Sequence, residues 1–270
     1  ADAPRLRVVA STGIGVDIFD VDYATKNGLV VAHSRAPEHV IGMAEASILL
    51  ILACIHDLPG DERIVRQDLP RTPKMTGYTL AGKTIGIIGL GEIGRAVARR
   101  LGGWDAKLQA YAPRLRTPAP DGVAMVGLEE LLRSSDVVTI HSSLNAETRH
   151  LLNAKRLGWM KRGAILINTA RGEIIDEAAL YPLVESGAIG WIGLDVNEIE
   201  PLPRNSPLLK LKNAILTPHM LGATREAAES LGIMAYQNIR AALGGQEPPC
   251  IFNPVVLPDW RRKWIGKPVV

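Results

Sequence analysis

The sequence has little cysteine, little net charge and no long apolar run. Its two cysteines, Cys54 and Cys250, cannot build a disulfide framework, and they fit a reducing cytoplasm. A net charge of +3 gives no argument for a nucleic-acid partner. The longest apolar stretch, residues 48–55, is too short to span a bilayer, and no signal peptide opens the sequence. We therefore expect a cytoplasmic protein without a membrane or nucleic-acid partner.

Two further features of the sequence argue against special binding sites. The histidines and cysteines lack the paired spacing of a zinc site, so we expect no metal. The basic run WRRKW at 260–264 predicts a solvated tail rather than a nucleic-acid patch. The sequence begins with Ala1 and enters an apolar strand almost directly, and we expect an upstream part to be missing through truncation, processing or disorder.

From residue 83 onward, short apolar strands alternate with helices. This alternation predicts an α/β fold in which a parallel sheet is covered on both faces. Before it, the patterns predict a strand at 7–11, a short helix at 21–26, a strand at 29–32, a packed apolar helix at 42–56 and mostly loop over 57–82. After it, a final long helix is predicted at 224–243.

A strand, a glycine-rich turn and a helix follow one another in TIGIIGLGEIGRAVARRL. Gly89 permits the tight turn, Gly91 lets the backbone approach a pyrophosphate, and Gly94 lets helix and strand pack closely. The amides of Glu92 and Ile93 would then point at the anion from the helix N-terminus. Because the required strand and helix flank the glycines, the motif predicts a dinucleotide cofactor.

The next strand ends without the acid that usually holds the adenosine ribose, about 20 residues after the glycines. The segment reads Ala112-Pro113-Arg114-Leu115-Arg116 and contains no carboxylate. The missing acid removes repulsion against a 2′-phosphate, and Arg114 can pair with that phosphate. The alternative is that both arginines are merely solvated. The pattern favours NADP(H) over NAD(H).

Three polar residues follow buried strands, at the edge where open α/β sheets bind ligands. Arg171 follows AILINTA, Glu200 lies beyond IGLDV, and His219 lies beyond AIL. A guanidinium clamps a carboxylate bidentately, and a carboxylate stabilises a neighbouring imidazolium, which can protonate a carbonyl oxygen as hydride arrives. These three residues are therefore the candidate catalytic set for hydride transfer between a nicotinamide cofactor and a 2-oxo acid.

Asp195 ends the strand before Glu200. Its carboxylate either accepts a hydrogen bond from the nicotinamide amide or caps a helix, and the sequence leaves both alternatives open.

In combination, these motifs resemble those of the D-isomer-specific 2-hydroxyacid dehydrogenases. The motifs that carry the resemblance are GIGVD at 13–17, MAE at 43–45, NTARG at 168–172, D-V-x-E-x-E-P at 195–201, and TPH with a later GAT at 217–224. The resemblance implies a Rossmann-type doubly wound parallel sheet plus the remnant of a smaller, flavodoxin-like substrate domain. It divides the chain into a substrate-domain remnant at 1–40, a dinucleotide-binding domain at 41–225, and a C-terminal helix and tail at 226–270 that return to the substrate domain.

The resemblance also implies roles for single residues. Arg171 would bind the substrate carboxylate and carbonyl, His219 would be the general acid and base, and Glu200 would be its partner. The amides of Ile14 and Gly15 would meet the substrate carboxylate.

The implied cofactor site extends beyond the glycine-rich turn. Asp195 would hold the nicotinamide amide together with carbonyls around Thr169, and Ser143 stands where the family usually has proline on the adenine side. The whole predicted cofactor set is Gly89, Gly91, Glu92, Ile93, Gly94, Ala112, Arg114, Ser143, Thr169, Ala170, Asp195, His219 and Gly222.

Several residues depart from the family pattern. Ala112 replaces the usual ribose-binding Asp, and Glu92 replaces a common Arg, which argues mildly against an extra phosphate. Leu221 stands where glycine is frequent, and Asn197 replaces an aromatic residue. Glu200 excludes the formate dehydrogenase branch, which has a neutral Gln there. Family members also begin with several more βα units, so one wall of the cleft is expected to be missing from this sequence.

The resemblance leaves more than one function open. The first is an NAD(P)H-dependent 2-oxo acid reductase acting on glyoxylate or hydroxypyruvate, with oxidation of D-3-phosphoglycerate as the near alternative. A different class is a nucleotide-sensing scaffold that resembles the C-terminal binding proteins, and a third is a catalytically dead fragment. The apolar helix at 42–56 predicts a symmetric homodimer.

Overall fold

A computed structural model of the protein describes residues 3–70 and 77–269. In chain order the elements are β1 (Val8–Ala10), α1 (Val21–Lys26), β2 (Val30–Ala32), α2 (Pro37–Ile55), α3 (Leu58–Arg66), β3 (Thr84–Ile88), α4 (Glu92–Leu101), β4 (Lys107–Tyr111), β5 (Val123–Met125), α5 (Leu128–Ser134), β6 (Val137–Ile140), α6 (Ala154–Leu157), β7 (Ala164–Asn168), α7 (Glu177–Glu185), β8 (Ile189–Leu194), β9 (Ala214–Leu216), α8 (Arg225–Leu243) and α9 (Leu257–Trp264). Short 3₁₀ helices lie at Gly172–Ile174, Pro207–Lys210 and Pro254–Val256.

The chain divides into two compact units, as judged on its described residues. The larger unit is Val40–Gly222, and the smaller joins Ala1–His39 to Ala223–Val270. Within the described part of the larger unit, seven parallel strands form one sheet in the order β5-β4-β3-β6-β7-β8-β9. From β3 the chain adds β4 and β5 on one side and then crosses to add β6 to β9 on the other side. This is the doubly wound strand order of dinucleotide-binding folds. The predicted fold class is confirmed.

Helices cover both faces of this sheet. Because side chains alternate along a strand, Ile85 and Ile87 of β3 face one layer and Ile88 faces the other. The first layer contains α2 and α4, which contribute Leu50, Ile51, Cys54, Ile55, Val97 and Leu101. The second layer contains α5, α6 and α7, which contribute Leu131, Leu132, Leu157, Leu180 and Val184. The central strands β3, β6 and β7 are therefore buried on both sides, which explains their continuous apolar runs.

Helix α2 is longer than the predicted 42–56 helix and begins at Pro37. Among the described residues, α2 is the helix that is long and apolar enough to cross a membrane. The prediction that no apolar stretch is long enough to span a bilayer is therefore wrong. Half of that span is buried inside the protein, and Leu50, Ile51 and Cys54 pack in the core with the sheet residues Ile85 and Ile87. We read α2 as the core helix of a folded unit.

The prediction of loop over 57–82 is wrong in its first part, where α3 forms. Asp57 caps this helix by accepting a hydrogen bond from the Gly60 amide at 3.0 Å. Pro59 occupies the first turn, where its missing N–H is not needed. Proline therefore marks the start of a helix here rather than a loop. Residues 71–76 of that prediction lie outside the described residues.

The smaller unit packs α8 and α9 with the parallel pair β1-β2. The prediction of a solvated tail at 260–264 is wrong, because this segment belongs to α9. Trp260 is 1 % exposed, and its indole Nε1 donates to the Arg7 carbonyl at 2.8 Å. The Arg7 guanidinium lies 4.4 Å from the ring centre of Trp264. The two tryptophans anchor the helix, and the three basic residues between them stay exposed.

Candidate active site

The glycine-rich turn joins β3 to α4 and has the geometry that its sequence predicts. Gly89 has φ +94°, and a Cβ there would lie 2.6 Å from the Ser142 hydroxyl oxygen. A Cβ on Gly94 would collide with the Gly89 carbonyl, whereas one on Gly91 would meet nothing within 4 Å. Two glycines thus allow close packing, and the third leaves open space before the N-terminus of α4. That space fits the pyrophosphate of a dinucleotide.

A cleft of about 510 Å³ lies beside this turn, at the point where the strand order reverses. The predicted cofactor residues that line it are Gly89, Gly91, Glu92, Ala112, Arg114 and Ser143. Other lining residues were not predicted, and they include Arg95, Tyr111, Thr117, His141 and Glu147. Most of these additional residues lie on loops, whose approach to the cleft no local sequence pattern reveals.

Arg114 has an ion-pair partner that the sequence did not suggest. Its guanidinium donates a short hydrogen bond to the carboxylate of Glu147, which lies in the loop after β6. The guanidinium of Arg95 donates instead to the Leu90 carbonyl at 3.2 Å and to the Thr117 carbonyl at 3.0 Å. The cleft therefore holds two arginines with different surroundings, one bound by backbone carbonyls and one by a carboxylate.

His141 follows β6 and lines the same cleft. Its Nε2 lies 3.0 Å from the Thr139 hydroxyl oxygen. Burial lowers the pKa of His141 to about 4, so the imidazole is neutral near pH 7 and adds no positive charge beside the phosphate space. Its position directly after the buried strand VVTI was the sequence signal that could have identified it.

Glu200 and His219 are in direct contact. His219 Nδ1 lies 2.7 Å from Glu200 Oε2, and both side chains are only half buried. The other carboxylate oxygen of Glu200 accepts the Asn197 amide at 3.0 Å. The backbone of His219 is left-handed, with φ +55°. The carboxylate is thus fixed by its own loop and in turn orients the imidazole through Nδ1.

The loop that carries Glu200 is anchored to the start of α7. Glu198 Oε2 accepts the Glu177 amide at 3.1 Å, and Glu177 Oε1 accepts the Glu198 amide at 2.8 Å. Burial, with the nearby charges of Glu198 and Glu200, raises the pKa of Glu177. Glu198 also contacts His150, whose Nε2 lies 2.5 Å from Oε1. These bonds fix the backbone on which Glu200 is displayed.

Asp195 is 2 % exposed and fixes the turn that contains His219. Its Oδ1 accepts the Thr217 hydroxyl at 2.6 Å, the Met220 amide at 3.1 Å and the Leu221 amide at 3.2 Å. These donors lie on both sides of His219 in the chain. The carboxylate therefore caps a turn and not a helix, so the helix-cap alternative is wrong.

Arg171 follows β7 and opens the 3₁₀ helix Gly172–Ile174. Asn168 shapes its loop, because its amide nitrogen donates to the Arg171 carbonyl at 2.8 Å and its oxygen accepts the Ala170 amide at 3.0 Å. A Cβ on Gly172 would collide with the backbone at Asn197. The loop that carries Arg171 therefore packs directly against the loop that carries Glu200.

Two other predicted cofactor residues have packing contacts within the larger unit. The Thr169 hydroxyl oxygen lies 2.9 Å from that of Ser47 on α2, and both side chains are buried. A Cβ on Gly222 would collide with Met43, also on α2. These contacts hold the ends of β7 and of the His219 turn against the helix.

Ile14 and Gly15 belong to the smaller unit and lie in a turn whose backbone carbonyls contact neighbouring side chains and amides. The Gly13 carbonyl accepts the Ser34 amide, and the Gly15 carbonyl accepts the Ser11 hydroxyl, each at 2.9 Å. The Ile14 carbonyl lies 3.3 Å from Nδ1 of His33. The three carbonyls of this turn are therefore held by contacts within their own unit.

Within residues 3–70 and 77–269, no group of three or more histidines, cysteines, aspartates or glutamates has the arrangement of a metal site. At the sheet edge, Glu200 and His219 contact each other, and the loop that carries Arg171 packs against the loop that carries Glu200. A guanidinium can bind an anion, and an imidazole can transfer a proton.

Comparison with known proteins identifies relatives over most of the chain. Residues 48–220 match the family model described as "D-isomer specific 2-hydroxyacid dehydrogenase, NAD binding domain". The chain is 41 % identical over 263 residues to a glyoxylate reductase of Thermofilum pendens, covering 94 % of this chain and 77 % of that protein. It is 38 % identical over 239 residues to a D-3-phosphoglycerate dehydrogenase of Archaeoglobus fulgidus, covering 88 % of this chain and 45 % of that protein.

A solved structure has the same architecture. It is an acyclic imino acid reductase (Bsp5) in complex with NADPH and D-Arg. The TM-score is 0.84 at 29 % sequence identity, over 92 % of this chain and 79 % of that one.

Proposed function

Because the chain belongs to the D-isomer-specific 2-hydroxyacid dehydrogenase family, we propose that it reduces a small 2-oxo acid, with glyoxylate or hydroxypyruvate as substrate. Family membership confirms the resemblance seen in the motifs, and it makes the chain an NAD(P)-dependent oxidoreductase acting on a CH–OH group. The observation that carries this proposal is the contact between Glu200 and His219 at the sheet edge. The loop that carries Glu200 packs against the loop that carries Arg171. Turnover of these acids by the purified chain tests the proposal.

Each member of the predicted catalytic set has a distinct task. Arg171 binds the substrate carboxylate with its guanidinium fork and orients the neighbouring carbonyl. Nε2 of His219 donates a proton to the carbonyl oxygen, and the reduced nicotinamide, when bound, supplies the hydride. Glu200 stabilises the imidazolium through Nδ1 and fixes its orientation. In the reverse direction His219 takes the proton from the hydroxyl.

The remaining predicted site residues hold the two ligands. The amides of Ile14 and Gly15 meet the substrate carboxylate, as the motif GIGVD at 13–17 implies. Asp195 accepts a hydrogen bond from the nicotinamide amide in addition to its bonds to the turn around His219. Backbone carbonyls near Thr169 accept further hydrogen bonds from the same amide. The unit Val40–Gly222 is the dinucleotide-binding unit, and the smaller unit is the substrate unit.

Oxidation of D-3-phosphoglycerate is the second candidate, because a relative that carries this name is 38 % identical. The chain spans less than half of that relative, compared with 77 % of the glyoxylate reductase of Thermofilum pendens. The glyoxylate reductase is also the more similar of the two, at 41 % identity over 263 residues against 38 % over 239, and this favours the reductase.

The preferred cofactor is NADP(H) rather than NAD(H). In support, Ala112 leaves no carboxylate at the end of β4, and Arg114 lines the cleft there. Glu92 and the Glu147 partner of Arg114 both oppose an extra phosphate, so the preference is modest.

Replacing Ala112→Asp together with Arg114→Ala is expected to reverse this preference. The new carboxylate repels a 2′-phosphate and can accept the ribose hydroxyl, while the lost guanidinium removes the phosphate partner. The ratio of kcat/KM for NADPH to that for NADH should fall about tenfold or more. Arg133→Ala, which breaks a surface ion pair with Glu129, is the matched control and should leave the ratio unchanged. A ratio that the double variant does not alter contradicts the cofactor proposal.

The protein is a cytoplasmic homodimer that buries the exposed apolar side of α2. Ile41 and Leu49 on this helix are 43 % and 52 % exposed, and Leu58 on α3 is 55 % exposed. Exposed apolar side chains on these two consecutive helices favour burial in a symmetric interface.

Light scattering at micromolar concentration should therefore give twice the mass of the chain, and Leu49→Asp should give the monomer. Ile18→Asp, at an exposed apolar residue outside these helices, is the control and should leave the dimer intact. A monomeric unsubstituted chain would rule out this interface.

A further inference from the structure

We propose that Glu147 weakens the preference of this chain for NADP(H), because its carboxylate competes with the 2′-phosphate of NADP(H) for Arg114. This inference rests on the proposed dehydrogenase function, since it concerns the cofactor that the cleft receives. Arg114 follows β4 and Glu147 lies in the loop after β6, so the two side chains reach each other across the cleft. They are 33 residues apart in sequence and form a direct ion pair.

The chemistry of the two acceptors makes the competition direct. A guanidinium binds a carboxylate or a phosphate through the same fork of N–H donors. While Glu147 pairs with the guanidinium, a 2′-phosphate gains little from Arg114. A ribose that carries a plain 2′-hydroxyl needs neither group, so its binding is nearly independent of the pair. Glu147 therefore acts on one form of the cofactor only.

The exposure of the pair sets the strength of this effect. The side chains of Arg114 and Glu147 are 68 % and 66 % exposed, and ion pairs at such exposure are weak because water screens them. A phosphate can therefore displace the carboxylate, and Glu147 reduces the preference for NADP(H) without abolishing it. The neighbouring Arg95 is bound by the Leu90 and Thr117 carbonyls and is less able to change partner.

The loop that carries Glu147 is ordered by its own polar groups. Asn145 Oδ1 accepts the amides of Glu147 and Thr148 at 2.9 and 3.2 Å. The Thr148 hydroxyl donates to the Ser143 carbonyl at 2.8 Å. Because these bonds involve the backbone and not the Glu147 carboxylate, replacing that side chain should leave the loop in place.

Calorimetric titration of the whole chain with two adenosine fragments tests the proposal. Adenosine 2′,5′-bisphosphate carries the discriminating phosphate, and adenosine 5′-monophosphate lacks it. Glu147→Gln should lower the Kd of the bisphosphate roughly three- to tenfold and change that of the monophosphate less than about twofold. Glu129→Gln removes the same charge from a comparable exposed pair with Arg133 outside the cleft, and it should change neither Kd.

The same titration after Arg114→Ala separates competition from simple repulsion. Without the guanidinium, Glu147→Gln should no longer alter the bisphosphate affinity. An equal gain for both fragments, or a gain that persists without Arg114, would overturn the proposal. Since these readouts need no turnover, a chain that binds the fragments as expected but reduces no 2-oxo acid would refute the proposed function and leave the role of Glu147 standing.

Discussion

His219→Ala is expected to lower kcat for 2-oxo acid reduction by about 10²- to 10⁴-fold, the usual contribution of a positioned general acid. The expectation rests on the 2.7 Å contact between Nδ1 and Glu200, which leaves Nε2 as the ring nitrogen that would donate a proton in the proposed reaction. Cofactor affinity, measured by fluorescence titration, should change less than about threefold, because the glycine-rich turn that would bind the pyrophosphate lies on another loop.

The chain contains a matched control for this variant. His150 contacts Glu198 just as His219 contacts Glu200, and it also lies outside the helices and strands. His150→Ala should leave kcat within about threefold of the unsubstituted value, because the two hydrogen bonds between Glu177 and Glu198 still hold the loop that carries Glu200. Glu200→Gln keeps a hydrogen-bond acceptor but removes the charge, so it should cost less than His219→Ala. Equal losses for both histidine variants would show that the loss is structural.

Arg171→Lys is expected to lower kcat/KM for the 2-oxo acid by roughly 10²-fold. Lysine keeps the charge but lacks the planar fork that holds a carboxylate in one orientation. Steady-state kinetics at saturating reduced cofactor measures the change. The cofactor Kd should stay nearly constant, which separates this loss from a collapse of the site.

Arg149→Lys is the conservative control, because this exposed arginine forms a long, 3.6 Å ion pair with Glu173, close in sequence to Arg171. It should leave kcat/KM within about twofold. If Arg171→Lys behaves like this control, Arg171 does not bind the substrate carboxylate, and the proposed substrate orientation is wrong.

The sequence predicts the framework of the site because parallel strands impose a simple rule. Residues directly after buried strands must meet at one edge of the sheet, so Arg171, Glu200 and His219 could be placed there without coordinates. The tight turn at Gly89 and the close packing at Gly94 follow equally from the order of strand, glycines and helix. These features depend on local pattern and on the topology of the fold class.

Features that depend on contacts between loops could not be predicted in this way. The pairing of Arg114 with Glu147 depends on two loops that follow different strands, and no spacing rule connects them. Asp195 holds the turn around His219 through hydrogen bonds from backbone amides, and such bonds cannot be predicted from side-chain identity.

Local composition does not reveal helices α3 and α9. The prolines and glycines of residues 57–82 predict loop, yet Pro59 lies in the first turn of α3. The basic run at 260–264 predicts a solvated tail, yet it belongs to α9. Helix α9 is stabilised by the tertiary burial of Trp260 rather than by its own pattern, because its remaining residues are mostly polar.

The most direct test of the account is oxidation of reduced cofactor by the purified chain, followed by absorbance with NADPH and NADH in parallel. Glyoxylate, hydroxypyruvate and pyruvate are the oxo acids, and D-3-phosphoglycerate with oxidised cofactor covers the alternative. We predict turnover of glyoxylate or hydroxypyruvate, faster with NADPH than with NADH, and its loss in His219→Ala. Cofactor binding without turnover of any of these acids would contradict the account and indicate a nucleotide-sensing scaffold.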